Sequence, residues 1–349
     1  MASPMTTAAQ AFKEMRVQEA LREALRYEME RDERVFVMGE DVALFGGAYG
    51  VTRGLVQEFG EKRVLDTPIS EAALVGLAAG AAINGMRPVV EIQFSDLLPL
   101  AMDQLASHAA RYHYMTGGRI SVPMVVRNKF ATRPGGGPSH SSCNHGAFIH
   151  FPGLKIIMPT TPADAKGLLL AAIRDPNPVL CFESHHLYGQ RGPVPEGDYT
   201  VPIGVAAVRR AGRDLTMVTC GGMVLKADAA AEALKEKGID MEIVDLRSLA
   251  PLDKETILQS VAKTKRALVL DEGPRVGGLS AEIAAMIQEN LFSELQGPVL
   301  RLGAQPIPPP HSPPLVEAML PGVEQIVEAV MHLAEGGRSS SMGSPLGIR

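Results

Sequence analysis

Glu71 is the residue of this sequence whose type and position best suit the handling of a proton. It follows Ser70, a residue type that caps helix N-termini, and precedes Ala72 to Met86, a run with no charged side chain. An acid in a first helical turn is favoured by the helix dipole by roughly 0.3–1 kcal/mol, and that is one sufficient reason for it to be there. The second reading starts from the helix itself. With no polar face, it is expected to be buried on every side. A carboxylate drawn out of water is costly unless paired or protonated, and its pKa rises. Such a group can share a proton with a ligand near neutral pH.

Other residues invite chemistry. HSSCNHGAFIH (140–150) gathers His140, Cys143, His145 and His150. The spacing fits neither a paired-cysteine knuckle nor an HExxH helix, which speaks against zinc. The alternative puts His140 at the rim of a glycine-rich loop as an active-site histidine, with His145 and His150 structural or exposed. Arg127, Lys129 and Arg133 suggest a phosphate clamp or, more simply, solvated loop charges. FGGAYG (45–50) lacks phosphate-cradle spacing, and no GxGxxG follows the first strand, so a nicotinamide dehydrogenase is not supported.

The elements that position these residues alternate. Val17–Arg31 reads as an amphipathic surface helix and Val35–Met38 as a buried strand, with FGGAYG a flexible loop at its carboxyl end, where ligands sit in parallel sheets. Val64-Leu65, the Ala72–Met86 helix and strand Val89–Ile92 follow. A helix over Leu97–Tyr114, a strand over Val122–Val126, a loop over Asn128–Asn144, strand Lys155–Met158, helix Thr161–Arg174 and strand Val179–Phe182 complete a first unit. Pro and Gly punctuate 185–204. A second unit has strands at 215–218, 241–244, 267–270 and 299–301, helices at 224–237, 254–264 and 280–289, and a last helix over about 315–334. The fold class expected is α/β, with two doubly wound domains at 14–190 and 205–335. Residues 336–349, GGRSSSMGSPLGIR, read as a disordered tail.

With 349 residues, 46% hydrophobic and 21% charged, and a net charge of −5, the chain has room for two globular domains. The mild acidity gives no support to nucleic-acid or membrane-surface binding. Ala72–Met86 is shorter than the about 20 residues a membrane span needs. Three cysteines suggest a reducing compartment without disulfides. Residues 1–13 show no signal-peptide pattern, so the expected location is cytoplasmic.

DTPISE (66–71), the Ala/Gly helix and RPVVEIQF (87–94) resemble the β subunit of the thiamine-diphosphate-dependent component of 2-oxoacid dehydrogenase complexes. Pyruvate, branched-chain and acetoin dehydrogenases share this subunit type. The resemblance extends through MGEDV (38–42), DQLASHAARYHYMTGG (103–118), HS (140–141), PGLKIIMP (152–159), DAKGLLLAAIRDPNPV (164–179), VPEGDYTVPIG (194–204) and VDLRSLAPLD (244–253), over about residues 14 to 335.

The resemblance implies a transketolase-like pyrimidine-binding domain followed by a transketolase C-terminal-like domain. It implies an oxidoreductase that decarboxylates a 2-oxo acid and passes the acyl unit to a lipoyl group, a disulfide acceptor. Glu71 would exchange a proton with the cofactor's pyrimidine ring, and His140 would lie beside the cofactor. Leu97 stands where the family usually has an aromatic residue against the pyrimidine. Phe94 is nearby; its periodicity favours a core position, and with Glu71 and Leu97 it is counted among the cofactor-binding residues the resemblance implies. Met124, Ala172, Ile173, Asp175 and Asn177 match a structural potassium site, and a helix C-terminus suits a cation. The GDG signature of the diphosphate half is absent, so Mg²⁺ and the diphosphate would belong to an α subunit in an α2β2 heterotetramer. The Ala72–Met86 helix is a candidate for that interface, and the C-terminal domain would dock a lipoyl acyltransferase. The alternatives are an acetoin dehydrogenase β subunit, a transketolase-like half, and a non-catalytic scaffold.

Overall fold

The computed structural model describes residues 11–335. The segment expected to be a disordered tail, 336–349, lies outside the described residues, as do residues 1–10. The elements of the first half are β1 (Phe12–Arg16), α1 (Val17–Arg31), β2 (Val35–Gly39), α2 (Leu55–Phe59), β3 (Val64–Asp66), α3 (Glu71–Ile83), β4 (Arg87–Ile92), α4 (Ala110–Met115), β5 (Val125–Phe130), α5 (His145–Phe148), β6 (Lys155–Ile157), α6 (Pro162–Arg174), β7 (Val179–Ser184) and β8 (Arg191–Pro195). The second half adds β9 (Ala207–Arg210), β10 (Leu215–Thr219), α7 (Met223–Lys235), β11 (Met241–Asp245), β12 (Ser248–Ala250), α8 (Lys254–Thr264), β13 (Ala267–Pro274), α9 (Leu279–Leu291), β14 (Leu300–Ala304), α10 (Pro313–Met319) and α11 (Val323–Ala334).

The first sheet runs β12-β6-β7-β5-β4-β2-β3, parallel except for β12. Parallel strands need helical crossovers, which cover both faces and bury the strands as apolar runs. α1 shows how: Val17, Ala20, Leu21, Ala24, Leu25 and Met29 form one buried stripe that packs on α6. Glu28 in that stripe is buried too, and Arg174 (2.6 Å) and Arg31 (2.8 Å) neutralise it. The second sheet runs β14-β13-β10-β11-β9, with only β9 antiparallel. β12 comes from the second half yet pairs with β6, and Arg247 donates to Asp164 across the same seam (3.0 Å). β1 and β8 form a small antiparallel ribbon that the sequence reading missed.

Several expected boundaries move, each for a physical reason. The strand expected at Val122–Val126 is β5, Val125–Phe130: Pro123 has no N–H for the ladder, and the strand continues past Val126 through charged residues that proved to be buried. The helix expected over Leu97–Tyr114 is a tight 3₁₀ turn at Leu98–Ala101, a wide π segment at Asp103–Ala109 and then α4. The last helix breaks between α10 and α11 at Pro321-Gly322.

The helix expected over Ala72–Met86 ends at Ile83 and is not buried on every side. Leu74, Val75, Ala78, Ala79 and Ala82 face the core, while Ala73, Leu77 (63% exposed), Gly80 and Ile83 form an apolar stripe open to solvent. The missing polar face in the sequence has two meanings, a buried helix or one with an unpartnered apolar side, and the structure shows the second.

Candidate active site

All parallel strands of the first sheet end on one edge, so residues just past β2, β3, β4 and β5 converge there. Glu71 opens α3 on that edge. Ser70 takes the cap position, but its hydroxyl makes no cap bond. Glu71 is only 5% exposed, and among the described residues no group donates a hydrogen bond to its carboxylate. Glu40, just past β2, sits close enough to feel it. Burial raises the Glu40 carboxyl above the ordinary range, and the charges of Glu71 and Asp41 push the same way. Gln93 donates to the Glu40 carbonyl (3.3 Å). Beside Glu71 the Ile69 side chain stands 80% exposed, an apolar wall with nothing against it.

Phe94 corrects an expectation. It does not join the core; Leu97 does, as a half-buried residue packed on the cluster that includes Leu74 and Ala78. The Phe94 ring stands edge-on to His140 (centroids 4.7 Å, planes 84° apart) and carries the Lys129 ammonium 4.2 Å over its face. His140 is exposed, with Nδ1 2.8 Å from the Ser139 hydroxyl. The structure therefore brings Phe94 and His140 together and packs Leu97 on the core.

Arg127 and Lys129 correct another: they are buried strand residues, not solvated loop charges. Arg127, 1% exposed, donates through Nη1 to Glu91 (2.8 Å) and through Nε and Nη2 to Glu183 (2.7 and 2.8 Å). The register places them: Glu91 of β4 faces Arg127 of β5, and Glu183 lies two residues beyond Cys181, the partner of Arg127 on β7. Burial pushes the Glu91 carboxyl upward, Arg127 opposes that, and Glu183 adds to it, because two carboxylates share one guanidinium. Glu91 also accepts from the Ala48 N–H (3.2 Å), which pins the glycine-rich 45–50 loop over the strand ends. Gly47 is required there: a Cβ would stand 2.7 Å from a Glu91 carboxylate oxygen, and its φ of 76° strains any other residue.

His145 and His150 divide as expected, one structural and one exposed. His145 is buried, its Nε2 2.9 Å from Asp271 on β13. Burial alone would lower its pKa, but the Asp271 charge outweighs this and raises it. With Glu272 accepting from the Thr132 N–H (2.7 Å), this pair fastens the loop after β5 to the second half of the chain. Among the described residues no cluster of three or more His, Cys, Asp or Glu groups forms a metal site.

The residues matched to potassium gather between the end of α6 and the start of β7. The Ile173 carbonyl accepts from Arg87 (2.7 Å), the Ala172 carbonyl from the Asp175 N–H (3.3 Å) and the Met124 carbonyl from Val179 (2.9 Å). The Asp175 carboxylate takes Lys155 (2.5 Å) and the Asn177 N–H (2.9 Å).

Glu40, Glu91 and Glu183 were not singled out in the sequence, and Arg127 and Lys129 were weighed only as a phosphate clamp or solvated loop charges. The available signal was position, just past β2 for Glu40, and for the others charges set in otherwise apolar strand segments.

A buried acid at a helix start, on the ligand edge of a parallel sheet, is the arrangement of a transketolase-type pyrimidine-binding domain. Residues 13–190 match the family described as "Transketolase, pyrimidine binding domain" and residues 204–326 "Transketolase, C-terminal domain". The β subunit of the pyruvate dehydrogenase E1 component from Rhizobium meliloti (strain 1021) is 45% identical over 90% of this chain and 69% of its own length. The β subunit of 2-oxoisovalerate dehydrogenase from Bacillus subtilis (strain 168) is 43% identical over 91% of this chain and 98% of its own. A split-gene transketolase, solved as an inactive β4 tetramer, superposes with a TM-score of 0.75 at 23% identity, covering 92% of this chain and 99% of that one, and shares the fold. The chain belongs to the family of 2-oxoacid dehydrogenase E1 β subunits, thiamine-diphosphate-dependent enzymes with transketolase-type domains.

Proposed function

We propose that this chain supplies the pyrimidine-side half of the active site in a pyruvate dehydrogenase-type enzyme, in which an α subunit holds the diphosphate and Mg²⁺ of thiamine diphosphate in an α2β2 assembly. The observation that carries this reading is the Glu71 carboxylate, buried without a donor of its own. A buried acid with no partner is costly. A ring nitrogen presented by the cofactor would complete it, with Ile69 and Leu97 as apolar contacts, so the residues present fit the group. When bound, the cofactor supplies the electron sink for carbon–carbon cleavage.

The chain's residues do the rest. Glu71 holds and returns a proton at the pyrimidine ring, and burial together with the charge of Glu71 holds the neighbouring Glu40 carboxyl above the ordinary range. His140, exposed beside Phe94, is placed to move a proton at the mouth where a lipoyl group arrives from an acyltransferase. The open apolar stripe of α3, Ala73 through Ile83, is the surface we assign to the subunit interface. Three free cysteines suit a reducing compartment such as the cytoplasm. No helix among the described residues is long and apolar enough to cross a membrane.

Calorimetry tests the half-site. The chain alone is expected to bind thiamine diphosphate at least tenfold more weakly than the chain with its α subunit; tight solitary binding would overturn the arrangement. Assays with pyruvate, branched 2-oxo acids and acetoin then fix the substrate. The acetoin reading keeps a place because an acetoin oxidoreductase β subunit from Bacillus subtilis (strain 168) is 42% identical over 90% of this chain. We further propose that the Met124–Asn177 carbonyl cluster takes potassium. Exchanging sodium for potassium at equal ionic strength is then expected to raise the Tm by a few degrees, the size of a modest linkage term; identical melting curves would remove the ion.

A further inference from the structure

Lys129 is 4% exposed, and its Nζ has no hydrogen-bond partner among the described residues. Burial, reinforced by Arg133, brings the ammonium down to about 7. It lies over the rings of Phe94 (4.2 Å) and Tyr49 (5.2 Å), so the aromatic faces meet its charge only in part. Asp96, the acid that most favours its charged form, is already engaged by the N–H (3.2 Å) and hydroxyl of Ser142. Glu91 and Glu183, also on the cavity wall, are committed to Arg127, Ala48 and Tyr188.

We propose that Lys129, flanked by Arg133, is an anion subsite of the active site and takes a carboxylate carried by the substrate. This rests on the active-site reading above, and the position supports it: through Phe94 the ammonium is one ring away from His140. Two basic groups stand beside a neutral imidazole: burial, then Lys129 and Arg133, holds His185 down to about 4 against the opposing charge of Glu272. The cavity that Lys129 lines is about 10 Å³, room for one water-sized group such as a single carboxylate oxygen. An incoming carboxylate completes the unpaired ammonium with a charge-assisted hydrogen bond.

Lys129→Met keeps the aliphatic stem on Phe94 and Tyr49 and removes the charge. In the full-length chain assembled with its α subunit, glutarate, an unreactive dicarboxylate, is expected to bind by calorimetry and to lose about tenfold or more in affinity on Lys129→Met, the worth of one charge-assisted hydrogen bond. Lys129→Arg should retain most of that affinity. In turnover, Lys129→Met should lower the ratio of kcat/KM for 2-oxo acids over that for acetoin, which has no carboxylate, through KM. If the variant assembles poorly, Lys129→Gln reads the same effect. The proposal is overturned if wild type binds no glutarate, binds it equally well after Lys129→Met, or prefers inorganic phosphate. Glutarate binding does not need turnover, so it is read even if the assignment of Glu71 fails.

Discussion

Glu71→Gln is expected to lower lipoyl-dependent turnover by about 10²–10⁴-fold, the range for loss of one positioned proton-transfer group, while leaving the subunit assembly intact. Gln has nearly the shape of Glu and cannot hold a transferable proton. Because no described group donates to the Glu71 carboxylate, the change breaks no native hydrogen bond. Stability should therefore hold, which separates a catalytic loss from a folding defect. The neighbour reports as well: without the Glu71 charge, one of the influences that raise the Glu40 carboxyl is gone, so any acid limb of the rate profile due to Glu40 should move to lower pH. Turnover within a few-fold of wild type, in an assembly of normal size and melting temperature, would remove Glu71 from the proton path.

That acid was legible because its neighbours are unusual: an uncharged helix and a cap-type residue before it frame one carboxylate. α1 and α8 were legible for a related reason, since their apolar periodicity repeats over several turns and their buried faces follow it. The rest fails where one signal has two causes. An uncharged helix is buried on all sides or carries an open apolar stripe; α3 does the latter, and only a partner can complete it. Charge in a sequence normally marks solvent, yet Arg127 is buried because Glu91 and Glu183 are brought to it from β4 and β7, 36 and 56 residues away in the chain. Single-segment patterning cannot see a pairing of that kind. Phe94 was assigned to the core by periodicity, but β4 ends at Ile92, and two residues later the alternation no longer applies.

Arg127→Met is expected to cost about 3–5 kcal/mol of stability, the penalty for stranding buried charges when their partner is removed. Glu91 and Glu183 lie on central strands of the parallel sheet and are only 7% and 2% exposed, so without the guanidinium water solvates neither fully. Their remaining donors are the Ala48 N–H to Glu91 and, to Glu183, the Tyr188 hydroxyl (2.8 Å) and the weak Cys181 thiol (3.9 Å). Each will take up a proton or push its strand apart. Urea unfolding at neutral pH reads the loss directly, and a change below about 1 kcal/mol, the ordinary level for an average substitution, would mean that solvent reaches the triad. Adding Glu91→Gln and Glu183→Gln to Arg127→Met should recover a large part of the deficit, since neutral amides carry no desolvated charge; in a network this tight the triple variant will not equal the sum of its parts. The same set connects core to chemistry. Glu91 anchors the 45–50 loop at the ligand edge, so the triple variant should regain stability before it regains KM. A variant that recovers both together would place the loop's anchor elsewhere than Glu91.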